Sequence, residues 1–160
     1  MGPRIDYAKA APGAVQAMRG LERYLHECGL ERPLLELIKL RASQLNGCAY
    51  CLDMHSKDAL ANGETPQRLH VLSAWREAPF YSPRERAALA WTEAVTRLDD
   101  GVPDELFQSV REQFNEHELT DLTLAIVAIN GWNRLAIGLG AEVGSYQVPT
   151  QSGKPDAVRR

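Results

Sequence analysis

Three cysteines in 160 residues are too few, and odd in number, for a disulfide-stapled scaffold. Lysine and arginine number 18 against 21 acidic residues, a formal charge of -3 with a pI near 5.8, so no basic surplus invites nucleic acid. The opening run Met1-Gly2-Pro3-Arg4-Ile5-Asp6 lacks the apolar segment of an export signal, and a cytoplasmic, reducing setting is expected. No G-x-G-x-x-G marks a nucleotide site, so electrons are expected from a protein or small-thiol reductant. No repeat recurs at solenoid periods, and no run alternates at period two, which leaves a sheet without support. The longest apolar run, Leu122 to Leu139, carries Asn130, Asn133 and Arg134, all costly in lipid. It reads as a core or interface helix, and no membrane partner is expected.

What is present is ordinary globular composition, 44% hydrophobic and 24% charged, enough for one domain with its own core. Almost every segment has helical periodicity. Val15, Met18, Leu21 and Leu25 recur between charges over Ala14 to Cys28, closed by Gly29. Pro33 opens a second helix to about Asn46, and a third runs from the cysteine pair to about Asn62-Gly63. Thr65-Pro66 starts a short fourth. Ser82-Pro83-Arg84-Glu85 is a capping-box signature for a helix to about Leu98, broken by Asp99-Asp100-Gly101. Val102-Pro103 starts another through Phe114, and Thr120 opens the last long helix. The fold class is all-α. Residues 1–144 form the domain, and 145–160, rich in Ser, Gln, Thr, Pro and Gly, read as a flexible tail.

The chemistry-bearing residues cluster. Cys48-Ala49-Tyr50-Cys51 is a C-x-x-C pair with His55 one turn further on. At about 100° per residue, Cys48, Cys51 and His55 fall within about 60° on one helix face. Gly47 just ahead puts the pair at a helix start, where free amides and the dipole favour a thiolate. His55 can take a thiol proton and hold the resulting anion. Glu36 sits among Leu34, Leu35, Leu37 and Ile38, where a lone carboxylate is costly. It either orients the histidine or pairs at the rim with Lys39 or Arg41. The rival to redox chemistry is zinc held by Cys48, Cys51, His55 and Glu36. Structural zinc sites bring a second ligand pair, and Cys28 has no such companion, so redox is the favoured reading and neither metal nor cofactor is expected. His26, His70 and His117 are scattered and read as exposed helix residues, Cys28 as a small buried one.

The pattern E-x11-C-x-x-C-x3-H, with Arg41-Ala42-Ser43-Gln44-Leu45-Asn46-Gly47 between, resembles the alkylhydroperoxidase D-like (AhpD-like) branch of the carboxymuconolactone decarboxylase superfamily. The likeness is strongest over residues 30 to 65. It implies an AhpD-like helical bundle oligomerising through apolar helices as a homo-trimer or homo-hexamer. It also implies reduction of small alkyl hydroperoxides, with Cys51 as peroxidatic thiol, Cys48 as resolving thiol, and His55 and Glu36 as proton relay. The alternative within the same fold is a redox sensor with little turnover. Tyr50 departs from the family's better-known members, which have histidine there; a phenol titrates near pH 10 and is not expected to share the histidine's acid-base role at neutral pH, though it can donate a hydrogen bond. Trp75, Trp91 and Trp132 add apolar area expected to lie partly between subunits, and Asn133-Arg134 either line the site or tie helices together, the structural role being the favoured reading.

Overall fold

The computed structural model describes residues 2–99 and 101–149; Asp100 and the segment 150–160 of the expected tail lie outside it. Among the described residues there are eight α-helices and no strand. They are α1 Tyr7–Ala10, α2 Pro12–Glu27, α3 Arg32–Asn46, α4 Ala49–Ala61, α5 Pro66–Val71, α6 Pro83–Thr96, α7 Asp104–Arg111 and α8 Glu116–Leu139, with a 3₁₀ turn, Leu72–Ala74, after α5. The fold class is the expected all-α one.

Local chemistry sets the boundaries. Proline stands in the first turn of α2, α3, α5 and α6, where its missing N–H costs nothing. Ser82 and Glu85 form the expected capping box. A second box, Asn115 with Glu118, starts α8 one turn before the expected Thr120. Helix α7 ends at Arg111 rather than Phe114, but Phe114 is fully buried just beyond it.

Helices α3, α6 and α8 share one apolar core, with Leu35, Ile38, Ala88, Leu122 and Ile126 at its centre and Leu25 and Phe114 closing its sides. Helix α8 is long and apolar enough to cross a membrane by length and composition, with mean hydropathy 1.4. It lies against α2, α3, α4, α6 and α7 and buries Asp121 and Asn133. Trp75 and Trp91 are buried within the chain, while Val127 and Ile137 on α8 face outward.

The N-terminal segment meets the C-terminal end of α8. The amides of Arg4 and Ile5 donate to the Leu139 carbonyl at 2.9 and 3.2 Å. After Gly140, in the left-handed conformation at φ 74°, the chain turns back over α4. There Lys57 donates to the Tyr146 carbonyl at 3.0 Å, and the Tyr146 hydroxyl donates to Asp58 at 2.7 Å. Both ends of the described chain thus wall one region of α4.

Candidate active site

The turn between α3 and α4 builds the site. Gly47 adopts φ 69°, which a side chain disfavours, and this lets the Cys48 amide donate to the Ser43 carbonyl at 3.0 Å. Cys48 therefore stands outside α4 as its N-cap, one position earlier than a pair wholly within the helix. Its sulfur accepts from the Cys51 amide at 3.4 Å. Cys51 lies in the first turn. The two sulfurs, both buried and unbridged, are hydrogen-bonded at 2.7 Å.

Charge divides unevenly between them. The hydrogen bond from Cys51, opposed by burial and helped by the Cys51 amide and the Asn133 carboxamide, brings the Cys48 thiol down to about 7. The same bond, with burial and the neighbouring negative charge, pushes Cys51 up. The first proton thus leaves Cys48, at the helix terminus. Access divides the other way: Cys51 lines a cavity of about 570 Å³ that Cys48 does not.

His55 follows one turn along α4, buried, with Nδ1 2.9 Å from Glu36 Oε2 on α3. This contact leaves Nε2 as the free ring nitrogen. Burial raises the Glu36 carboxyl, but the His55 hydrogen bond and charge outweigh it and hold the group below its ordinary value. The rim reading of Glu36 is not what is found, because Lys39 pairs with Glu22 and Arg41 with Glu93, each at 2.8 Å. Nor do the four zinc-candidate residues come together as one donor set. The donor atoms within 4.8 Å of one another are those of Glu36, His55 and Asp58, which could together seat a cation.

Several residues escaped the sequence reading. Asn133, read as a tie between helices, does donate to Ser43 at 3.1 Å and accept from Asn46 at 2.8 Å, but its carboxamide also favours both thiolates. Arg134 keeps the structural role: it is exposed and reaches back to Asn130 on its own helix. Tyr7, Asp58 and Trp132 line the cavity with Tyr50. They carry no motif, and only the three-dimensional return of α1, α4 and α8 to one place reveals them. Of the remaining cysteine and histidines, Cys28 donates to the Leu25 carbonyl at 3.1 Å, and His26, His70 and His117 are exposed, His26 at the cavity.

Residues 10–94 match the carboxymuconolactone decarboxylase family. An uncharacterized protein, YdfG of Bacillus subtilis, is 45% identical over 146 residues, 91% of this chain and 99% of its own length. A crystal structure from Agrobacterium tumefaciens, of unknown function and linked by its name to antioxidant defence as AhpD, superposes with a TM-score of 0.85. It is 45% identical and is covered over 97% of its length by 88% of this chain. The debrominase Bmp8 shares the fold at 20% identity, with a TM-score of 0.78 over 86% of this chain and 74% of its own. The chain belongs to the carboxymuconolactone decarboxylase family, in its AhpD-like branch.

Proposed function

We propose that this member of the carboxymuconolactone decarboxylase family is a dithiol peroxidase. It reduces small alkyl hydroperoxides and is itself re-reduced by a dithiol partner, protein or small molecule. The observation that carries the reading is the hydrogen-bonded sulfur pair at the N-terminus of α4, opening through Cys51 onto a cavity that the Glu36–His55 pair also lines.

The division of charge and access between the sulfurs gives each a task. The hydrogen bond between the sulfurs favours the Cys48 thiolate and holds the proton on Cys51, so the cavity-facing sulfur needs a separate base. His55, oriented by Glu36, takes the Cys51 proton. The Cys51 thiolate attacks the terminal peroxide oxygen, becomes a sulfenic acid, and releases an alkoxide. The waiting Cys48 thiolate displaces hydroxide from that sulfur, forming the Cys48–Cys51 disulfide, and His55 returns its proton to give water. An external dithiol reopens the disulfide, taking up the oxidation. The exposed apolar side chains Val127 and Ile137 of α8 support a homo-oligomer, a homo-trimer or homo-hexamer being the form the family likeness suggests, in the cytoplasm.

The test is consumption of tert-butyl hydroperoxide by the purified protein with dithiothreitol, beside Cys51→Ser and Cys48→Ser. The wild type turns over, Cys51→Ser does not, and Cys48→Ser reacts once and leaves a sulfenic acid that a 1,3-dione labels. Wild-type rates in Cys51→Ser would overturn the assignment of the two sulfurs. A disulfide that forms and reopens without peroxide turnover would overturn the peroxidase reading in favour of a redox sensor.

A further inference from the structure

The five tyrosines fall into two groups. Tyr24, Tyr81 and Tyr146 each donate their hydroxyl to a protein acceptor: the Asp121 carboxylate, the Arg68 carbonyl and the Asp58 carboxylate. Tyr7 and Tyr50 make no such bond among the described residues, though both are half-buried. These two, from α1 and the first turn of α4, line the cavity that reaches Cys51 and His55. A hydroxyl without a protein partner is donor capacity left open, and here both residues that carry one line the cavity with the candidate nucleophile.

Their surroundings keep them protonated. Burial, and then the charge that Tyr50, Cys51 and Cys48 would carry, raise Tyr7. Burial, then Cys51, Asp53 and Cys48, raise Tyr50. A group that stays protonated beside a thiolate can serve as an acid and not as a resting base.

We propose that Tyr50, with Tyr7 beside it, is the catalytic acid that protonates the alkoxide released when Cys51 cleaves the peroxide bond. The proposal rests on the peroxidase reading and assigns the one proton transfer which that reading leaves open. In the step, the S–O bond to Cys51 forms, the O–O bond breaks with its electron pair on the departing oxygen, and the phenol proton passes to that oxygen. The products are an alcohol, a Cys51 sulfenic acid and a Tyr50 phenolate. Solvent then returns to Tyr50 the proton it received when Cys48 ionised, so one peroxide and one dithiol become one alcohol, one water and one disulfide. The transfer is strongly downhill, because an alcohol is a far weaker acid than a phenol. The cavity is thereby suited to hydroperoxides of unactivated alcohols, whose leaving groups need a proton most.

Leaving-group acidity supplies the test. The pre-reduced protein, freed of reductant, is mixed in a single turnover with tert-butyl hydroperoxide or with peracetic acid, and loss of thiol is followed. Acetate, with a conjugate acid near pH ~4, departs without a proton. Tyr50→Phe should slow the reaction with tert-butyl hydroperoxide by roughly 100-fold. Its reaction with peracetic acid should change by no more than about 3-fold, which also reports that the variant's dithiol is intact. Tyr7→Phe should show the same selectivity with a smaller loss. Equal losses with both oxidants, or no loss with either, would overturn the proposal and leave Tyr50 a packing residue. A wild type that consumes neither oxidant would overturn the peroxidase reading and this proposal with it.

Discussion

The two halves of α8 are buried alike and packed in opposite ways. Its first half sets Leu122, Ala125 and Ile126, none exposed, among Leu25, Leu35, Ile38, Val110 and Phe114. Its second half sets Ile129 and Ala136 against Ala42, Cys48 and Cys51. There Asn46 donates to both Asn130 and Asn133, and Asn133 donates to Ser43. The first half is defined by volume, and any filling of the right shape serves it. The second is defined by a set of hydrogen bonds that must be complete, because an unpaired amide or thiolate there has no water to turn to. One helix thus anchors the fold at one end and conditions the reactive sulfurs at the other.

If that division is right, the largest effect on stability belongs to the first half. Leu122→Ala should cost about 2–5 kcal/mol in denaturant unfolding and leave the dithiol's ionisation midpoint where it was. A shifted midpoint would show that the two halves are not separable. The next largest effect is on rate alone: Glu36→Gln should lower kcat/KM for tert-butyl hydroperoxide by roughly 100-fold. Its thiolate absorbance should still rise through pH about 7, since the partners favouring the Cys48 thiolate are Cys51, Asn133 and two amides rather than Glu36.

Asn133→Ala sharpens the comparison from the other side. It removes a donor that favours both thiolates, so the dithiol midpoint should move upward from about 7, with a stability loss of about 1–3 kcal/mol. The midpoint belongs to the pair rather than to one sulfur. Stability should follow pH accordingly. Cys48 ionises at a lower pH folded than unfolded, so its contribution is complete above the free-thiol value of ~8.5 and is lost as pH falls through about 7. Cys51 is shifted the other way, and its contribution is lost as pH rises beyond that free-thiol value. The reduced protein should gain on the order of 1 kcal/mol over the Cys48→Ser/Cys51→Ser variant between pH ~7 and ~8.5, then decline. A difference flat in pH would remove the thiolate from the account.

The helical class, the Ser82–Glu85 box and the Glu36, Cys48, Cys51, His55 set were legible because each is a local pattern: period, cap, motif spacing. Glu36 and His55 lie on adjacent antiparallel helices joined by the Gly47 turn, so the chain distance between them is short enough for spacing to betray the contact. Asn133 was legible as either a site residue or a tie between helices, and the sequence could not choose, since 82 to 85 positions separate it from the sulfurs. Tyr7 sits on a four-residue helix too short to show a period, and Tyr146 lies in a segment whose composition suggested a tail. What places both is the return of the segments around Tyr7 and Tyr146 onto α4, a tertiary event with no local signature.

The smallest effect is expected where the molecule repeats a histidine–carboxylate pair without a site. His117 Nδ1 lies 3.2 Å from Asp121 Oδ2 within the first half of α8. Burial is reversed relative to His55 and Glu36: here the carboxylate is 1% exposed and the imidazole side chain 70% exposed. Asp121 Oδ2 is buried without a hydrogen bond, and Oδ1 accepts from Tyr24 at 2.8 Å. Neither residue lines the cavity that reaches Cys51, so the pair has no thiol to activate. Asp121→Asn keeps the acceptor for Tyr24 and removes a buried charge whose ionic partner is largely solvated. Turnover should be unchanged and stability should move by no more than about 1 kcal/mol. A loss of turnover comparable to that of Glu36→Gln would mean that the ends of α8 are coupled, and that the apolar half does more than hold the fold.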